Sequence, residues 1–468
     1  MTLLRVTRTG PVPVRKLRKI GGVAAALALA APLSFVGIVP AQAKPATPAA
    51  NPALGTSVSA FYAARKDYPL WLSPTAGDAA DRLVTLLESA SLDGLDPARY
   101  GTPFLRKAIA AARSGDFRAK QRADHQLSNA FVAYVADVRR DRGIGILWVE
   151  PWMKPGVPNS RLLLNDAARA PNLSGYLASM AWMNPTYIGL RNALVQKAYS
   201  TPEQAALIRV NMDRARILPV TAPRYILVNA AEQKLFLYED NRQVDEMRVV
   251  VGQKKYPTPM IAAMVRFAAL NPYWYVPPDL AWEDVGQFVE KYGQRYFDRM
   301  GYQLVSDWTK EPEILDPKTI DWKAVREGKA EVLIRQKPGP DNFMGRMKFM
   351  FPNEAGVYLH DNPRRELFEK DVRFFSGGCV RLQDAARLGR WLFGHELVWQ
   401  DAPPEKQIML DTPVPVYITY LTAKPDGSGG VAFLDDGYER DEKALAGIAD
   451  QPVHAVDSAE GVPGAGRP

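Results

Sequence analysis

The chain has 468 residues, 47% apolar and 24% charged, too long for one ordinary core and consistent with two or three globular domains. Its formal charge of +8 resides mostly in the first 43 residues, which hold Arg5, Arg8, Arg15, Lys16, Arg18 and Lys19 and no acid; taking those six from 59 leaves 53 basic residues against 51 acidic ones. That balance excludes nucleic acid as a partner, and a single cysteine excludes a disulfide framework.

Residues 1–43 have the parts of a secretory signal: a basic start, an apolar run from Ile20 to Val39, and the small-x-small site Ala41-Gln42-Ala43. A retained membrane anchor is the alternative, weakened by Pro32, Gly21-Gly22 and the alanine content. Residues 44–54 read as a linker. The expected location is therefore the periplasm or cell envelope. From 55 to 218 the signals are helical. Leu83, Leu86, Leu87 and Ala90 share a face stopped by Asp93-Gly94. Leu127, Phe131, Tyr134 and Val138 mark a second helix, ended by Arg142-Gly143, and Asn184-Pro185 opens a third.

At Pro223 the pattern changes. Arg224 to Val228 and Lys234 to Tyr238 read as a hairpin, with Val244 to Val251 as a third strand. Further strand signals fall at Glu331 to Arg335, Gly356 to His360, Val414 to Thr422 and Val431 to Leu434. Between them, residues 279–330 scatter Trp282, Tyr292, Tyr296, Phe297, Trp308 and Trp322 among charges without regular alternation. This stretch reads as a helix-and-loop insert placed to cover a site. Residues 446–468 read as a disordered tail. The expected fold is α+β: a mostly helical domain (55–218), then a β-rich domain (219–445) carrying that insert.

The chemistry-bearing segment is GVYLHDNPRRELFEKDVRFFSGGCVRLQDAARLGRWLF, residues 356–393. A short strand delivers His360, and sixteen residues later comes Ser376-Gly377-Gly378-Cys379-Val380-Arg381. Leu382, Ala385, Ala386, Leu388 and Leu392 then repeat at helical spacing, so Cys379 is expected just before a helix, whose positive end favours thiolate. The glycines allow a tight turn, and the N–H groups of Gly378 and Cys379 could form an oxyanion hole. His360 can take the thiol proton, and Arg381 can hold a carboxylate or brace the loop. The residue types alone leave open an inert buried cysteine and a strand-end histidine without a ligand. His360-Asp361 could suggest metal, but no further ligand stands at suitable spacing, and no cofactor is expected.

These residues resemble the signature of the L,D-transpeptidases, the YkuD-type catalytic domain. Tyr225 to Asn229, Val249 to Gly252 with Thr258-Pro259, Asn271 to Pro277, and Arg335 to Phe351 leading into Tyr358-Leu359-His360-Asp361 are similar to the family's large periplasmic type. Tyr68 to Trp71 and Asp93 to Pro97 resemble that type's helical scaffold. Two departures stand out. Gly377 replaces a histidine common in the family, and the helical peptidoglycan-binding repeat is missing between Arg142 and Arg209.

The resemblance implies a β-sandwich catalytic domain and a reaction. Cys379 attacks a donor tetrapeptide stem at its third residue, D-alanine leaves with a proton from His360, and an acceptor amine resolves the thioester into a 3→3 cross-link. Ser376, Gly377 and Arg381 would support the site or hold a substrate carboxylate. Carbapenems are expected to acylate Cys379, and a wall-associated protein could supply affinity for the wall. The alternatives are a hydrolytic L,D-carboxypeptidase or wall-peptide amidase, an enzyme tethering a protein to peptidoglycan, and a non-catalytic wall scaffold. No single carboxylate suggests itself to orient His360; a backbone carbonyl or Ser376 is expected to do so.

Overall fold

A computed structural model describes residues 52–449 except residue 310. The signal, most of the linker and the tail beyond 449 lie outside those residues.

Among the described residues eight helices come first: α1 (Pro52–Ala64), α2 (Ala79–Glu88), α3 (Thr102–Ser114), α4 (Phe117–Val138), α5 (Ser160–Arg169), α6 (Leu173–Ser179), α7 (Pro185–Val195) and α8 (Pro202–Ala215). Local signals set their ends. Asn184 caps α7, its side-chain oxygen accepting the Tyr187 N–H at 3.0 Å, with Pro185 in the first turn. Gly94 adopts φ 67° after the turn Ala90–Asp93 that follows α2. α4 buries Leu127, Phe131, Tyr134 and Val138 but ends at Val138, ahead of the expected Arg142-Gly143 stop. At the centre of the helical core lies Asp93, 1% exposed. Its carboxylate accepts from Tyr134 at 2.8 Å, Tyr187 at 2.7 Å and Arg191 at 2.8 Å. Arg216 donates to its carbonyl at 2.6 Å. A buried carboxylate is tolerated because every partner is satisfied.

The strands are β1 (Leu147–Trp148), β2 (Arg224–Asn229), β3 (Lys234–Glu239), β4 (Arg242–Gly252), β5 (Ile261–Leu270), β6 (Trp274–Tyr275), β7 (Tyr302–Val305), β8 (Ile314–Leu315), β9 (Ile334–Gln336), β10 (Met347–Met350), β11 (Leu359–His360), β12 (Phe374–Ser376), β13 (Val380–Leu382), β14 (Lys406–Thr419), β15 (Ala423–Pro425) and β16 (Val431–Phe433). The main sheet runs β5-β10-β11-β13-β4-β3-β2-β14, and β14 pairs back onto β5. Its layers are thus joined at both edges around one apolar interior, which includes Val228, Leu237, Val249, Val265, Phe349, Leu359, Val380 and Ile418. Closure leaves these strands no open edge. The expected hairpin forms with Asn229 opposite Lys234.

Several sequence expectations change. β5 reads IAAMVRFAAL, alanine-rich and without alternation, and was not foreseen as a strand although it is the seam of the sheet. The insert is not helix and loop alone. Its strands β7 and β8 join the flanking β6 and β9 in a small sheet ordered β6-β9-β7-β8, packed on Trp274, Val285, Phe297 and Leu304. The strand signal near Arg335 belongs to that sheet, and the signal at Val431 belongs to the hairpin β15–β16 rather than to the main sheet. The closing helix Asp441–Ala449 also enters the segment expected to be a disordered tail.

The two domains interlock. β1 leaves the helical region to pair with β5, while Leu421 and Ala423, beyond β14, are buried in the helical core. Tyr225, Leu227, Met264 and Tyr417 on the sheet pack against Met153, Ile217 and Leu218. Asp93→Asn, which removes the charge facing buried Arg191, should cost about 3–5 kcal/mol, read as a lowered urea midpoint. Asp78→Asn, at an exposed pair with Arg82, should leave the midpoint nearly unchanged.

Candidate active site

Pairing of β11 with β13 brings the candidate residues together. The strands are parallel, with Leu359 opposite Val380 and His360 opposite Arg381. Side chains alternate along a strand. Leu359 and Val380 point into the core, both fully buried. Tyr358, His360, Cys379 and Arg381 therefore share the outer face, with His360 and Cys379 diagonal neighbours. On the other side β10 sets Lys348 opposite His360. One row across the sheet thus reads Lys348, His360, Arg381.

Cys379 occupies the turn between β12 and β13. It does not stand at a helix start, as expected from sequence. The helix begins six residues later, at Ala385, capped by Asp384. Leu382, which fitted the helical spacing, belongs to β13. Macrodipole stabilisation of a thiolate is thereby removed, because the effect fades within one turn. The half-buried thiol instead donates to the Gly356 carbonyl at 3.7 Å.

Ser376 braces this turn. Its hydroxyl donates to the Cys379 carbonyl at 2.6 Å and accepts the Gly378 N–H at 3.1 Å. That bond engages the Gly378 N–H, which was expected as an oxyanion donor, within its own turn. Gly378 has φ 108°, a conformation that disfavours any side chain. Gly377 is exposed, and a Cβ there would come within 3.3 Å of Leu280 Cδ1 from the insert. The insert thus leans over the nucleophile turn, and Lys255 and Tyr256 hold it there through Glu283. Leu280 directly precedes a π-helical turn, Ala281–Gly286, and Glu283 lies within it.

His360 is 1% exposed. Its Nδ1 lies 2.6 Å from the Asp361 carbonyl, so a backbone carbonyl orients the ring and Ser376 does not. A carbonyl only accepts, so Nδ1 carries the hydrogen and Nε2 keeps the lone pair of a base. Burial pushes the imidazole pKa down to about 3, and the charges of Arg381 and Lys348 add to that effect; the Asp361 and Met344 carbonyls oppose it. Asp361 is occupied elsewhere, its carboxylate accepting from the Arg346 N–H at 2.9 Å and from Arg365 at 2.8 Å. Among the described residues no cluster of three or more His, Cys, Asp or Glu could hold a metal. Burial and the neighbouring Arg364 lower the Arg381 guanidinium to about 10, and its buried Nε finds no hydrogen-bond partner among the described residues.

Sequence reasoning missed Lys348, Leu280 and the support behind the turn. Lys348 stands in MKFM, an alternating run between larger signals. Leu280 carries no local signal, because its role arises from folding of the insert over the sheet.

Such a sheet, with a cysteine and a histidine on one outer face beneath a small capping domain, defines the class. Residues 223–416 match the model of the YkuD L,D-transpeptidase catalytic domain, and residues 56–194 match that of the Scaffold domain. The chain joins a YkuD L,D-transpeptidase catalytic domain to an N-terminal Scaffold domain. A Haemophilus influenzae protein provisionally named an L,D-transpeptidase is 30% identical over 245 residues, 50% of this chain and 48% of that protein. The match thus spans about half the length of that relative. Among solved structures, the Ldtfm-avibactam carbamoyl enzyme is 14% identical, covering 43% of this chain and 51% of its own. An L,D-transpeptidase from Mycobacterium smegmatis is 13% identical, covering 42% and 58%. Both have a TM-score of 0.21, at which the likeness carries no argument.

The lowered His360 pKa has a measurable consequence. Between pH 6.5, the ordinary imidazole value, and about 3, the unfolded chain binds a proton at His360 that the folded chain refuses. This site's contribution to stability therefore falls as pH drops through that window and is unaffected above it. Urea midpoints of wild type and His360→Gln at pH 7.5 and 4.5 should differ in the wild type's disfavour at the lower pH, by up to about 2–3 kcal/mol.

Proposed function

We propose that the protein is an exported peptidoglycan L,D-transpeptidase acting through a Cys379 thioester. The observation that supports it most is the placement of Cys379 and His360 on one face of adjacent parallel strands, inside the matched catalytic domain and under the insert. The neutral His360 Nε2 takes the thiol proton as Sγ attacks the carbonyl of the donor's third residue. The Cys379 N–H donates to the developing oxyanion. The tetrahedral species collapses, the C–N bond to D-alanine breaks, and the amine leaves with the proton held by His360. An acceptor amine then attacks the thioester, and the C–S bond breaks as the new amide forms. No step requires a metal or an organic cofactor.

Arg381, with an unpartnered buried Nε, suits a substrate carboxylate, while Lys348, on the other side of His360, is paired with Glu405 at 3.2 Å. The insert limits water at the thioester, which favours amine over hydrolysis. The acceptor is a stem-peptide amine in this reading. The cell envelope is the compartment in which that substrate occurs.

Intact-protein mass after incubation with a carbapenem, beside Cys379→Ala, tests the nucleophile. A one-to-one adduct on wild type alone is expected, and no adduct on folded wild type would overturn the reading. Incubation with purified disaccharide-tetrapeptides should release D-alanine and give dimers. D-alanine with tripeptide and no dimer would instead establish a hydrolase.

A further inference from the structure

A second loop lies directly behind the nucleophile turn. Thr258, fully buried, donates from its hydroxyl to the Gly378 carbonyl at 2.9 Å and accepts the Gly252 N–H at 2.8 Å. Gly252 is packed so closely that an added Cβ would stand 2.0 Å from the Tyr256 carbonyl oxygen and 3.1 Å from Gly378 Cα. The Gly378 carbonyl and the Cys379 N–H belong to one peptide unit. In a trans peptide they point in opposite directions. Fixing the carbonyl on Thr258 therefore fixes the direction of the N–H.

Thr258 is itself held by residues beyond the matched catalytic region. Tyr438 accepts the Thr258 N–H at 3.3 Å and donates to the Gly252 carbonyl at 2.6 Å. Arg440 donates to the Thr258 carbonyl at 3.0 Å and lies 4.9 Å from the Tyr438 ring centroid and 5.0 Å from that of Tyr420. Next to it, Asp441 accepts from Arg214 of α8 at 2.5 Å and from Thr422 at 3.1 Å. Asn211, one turn earlier on α8, donates from its side-chain amide to the Thr422 hydroxyl at 2.9 Å and accepts the Thr422 N–H at 2.8 Å. An unbroken run of hydrogen bonds and packed rings thus leads from the Scaffold-side helix to the peptide that precedes the nucleophile.

We infer that Thr258 is a positioning residue, seated by the strap Tyr438–Asp441, that aims the Cys379 N–H at the oxyanion formed during acylation. The inference rests on the proposed thioester chemistry. Oxyanion donation matters when a thiolate adds to a carbonyl, but not when it displaces iodide from iodoacetamide, where no oxyanion forms. That difference separates aim from general damage to the loop.

Second-order acylation by imipenem and alkylation by iodoacetamide would be measured on full-length wild type, Thr258→Val, Thr258→Ser and Tyr438→Phe. Thr258→Val should acylate at least about tenfold more slowly, and its alkylation should stay within about twofold of wild type. Thr258→Ser, which restores the hydroxyl, should recover most of the acylation rate, and Tyr438→Phe should lose part of it. Equal acylation in wild type and Thr258→Val would overturn the inference, as would a parallel loss of both reactions. If Thr258→Val does not fold, Tyr438→Phe decides by the same two rates. If folded wild type resists imipenem altogether, the transpeptidase reading fails separately. A crystal structure of the Thr258 or Tyr438 variant then decides the placement: a turned Gly378–Cys379 peptide supports it, and an unmoved one overturns it.

Discussion

Parallel pairing of Leu359–His360 with Val380–Arg381 is the contact on which the site depends. A strand's side chains alternate, so the register that buries Leu359 and Val380 also puts His360, Cys379 and Arg381 outside together. A slip of one residue would put the chemistry into the core and the apolar residues into the cleft. Burial of the inner face thus enforces the geometry of the outer one. The same register places Lys348 and Arg381 on either side of His360, and their charges add to the larger effect of burial in keeping the imidazole neutral.

Around this pairing the nucleophile is held by backbone rather than by a helix dipole. Ser376 closes the turn from within, Thr258 holds it from behind, and Leu280 approaches from above. Each of these contacts comes from a different part of the chain. The insert is a folded unit with its own sheet and apolar core, so it covers the turn as a body rather than as a loop.

The Scaffold and catalytic domains are likewise not beads on a string. β1 crosses into the main sheet, and the hairpin β15–β16 and its flanks return to the helical core. The strap Tyr438–Asp441 then passes back beneath the nucleophile turn. A chain that crosses repeatedly between two cores couples their stabilities. The buried Arg214–Asp441 ion pair ties α8 of the helical region to the strap that passes beneath the nucleophile turn.

Local chemistry made much of this legible in the sequence. Asn184-Pro185 announced a helix start, since capping and φ restriction act within one turn. Arg224 to Tyr238 announced a hairpin by its strand propensity, and the glycine-cysteine turn with an upstream strand-end histidine announced the candidate site. The family resemblance came from the same short motifs. Elements without a strong propensity of their own were decided only by tertiary structure. β5 is a strand because β14, β10 and β1 hydrogen-bond to it, and its alanines are small because it is packed closely. The run after Cys379 fitted a helix, yet its first residues were drawn into β13 by β4 and β11, where backbone pairing outweighs periodicity. Thr258, Tyr438 and Leu280 are ordinary residues in the sequence. Their roles arise from contacts between distant positions, 97 apart for Leu280 and Gly377, 120 for Thr258 and Gly378 and 180 for Thr258 and Tyr438, and a local pattern carries no record of the chain's long-range contacts.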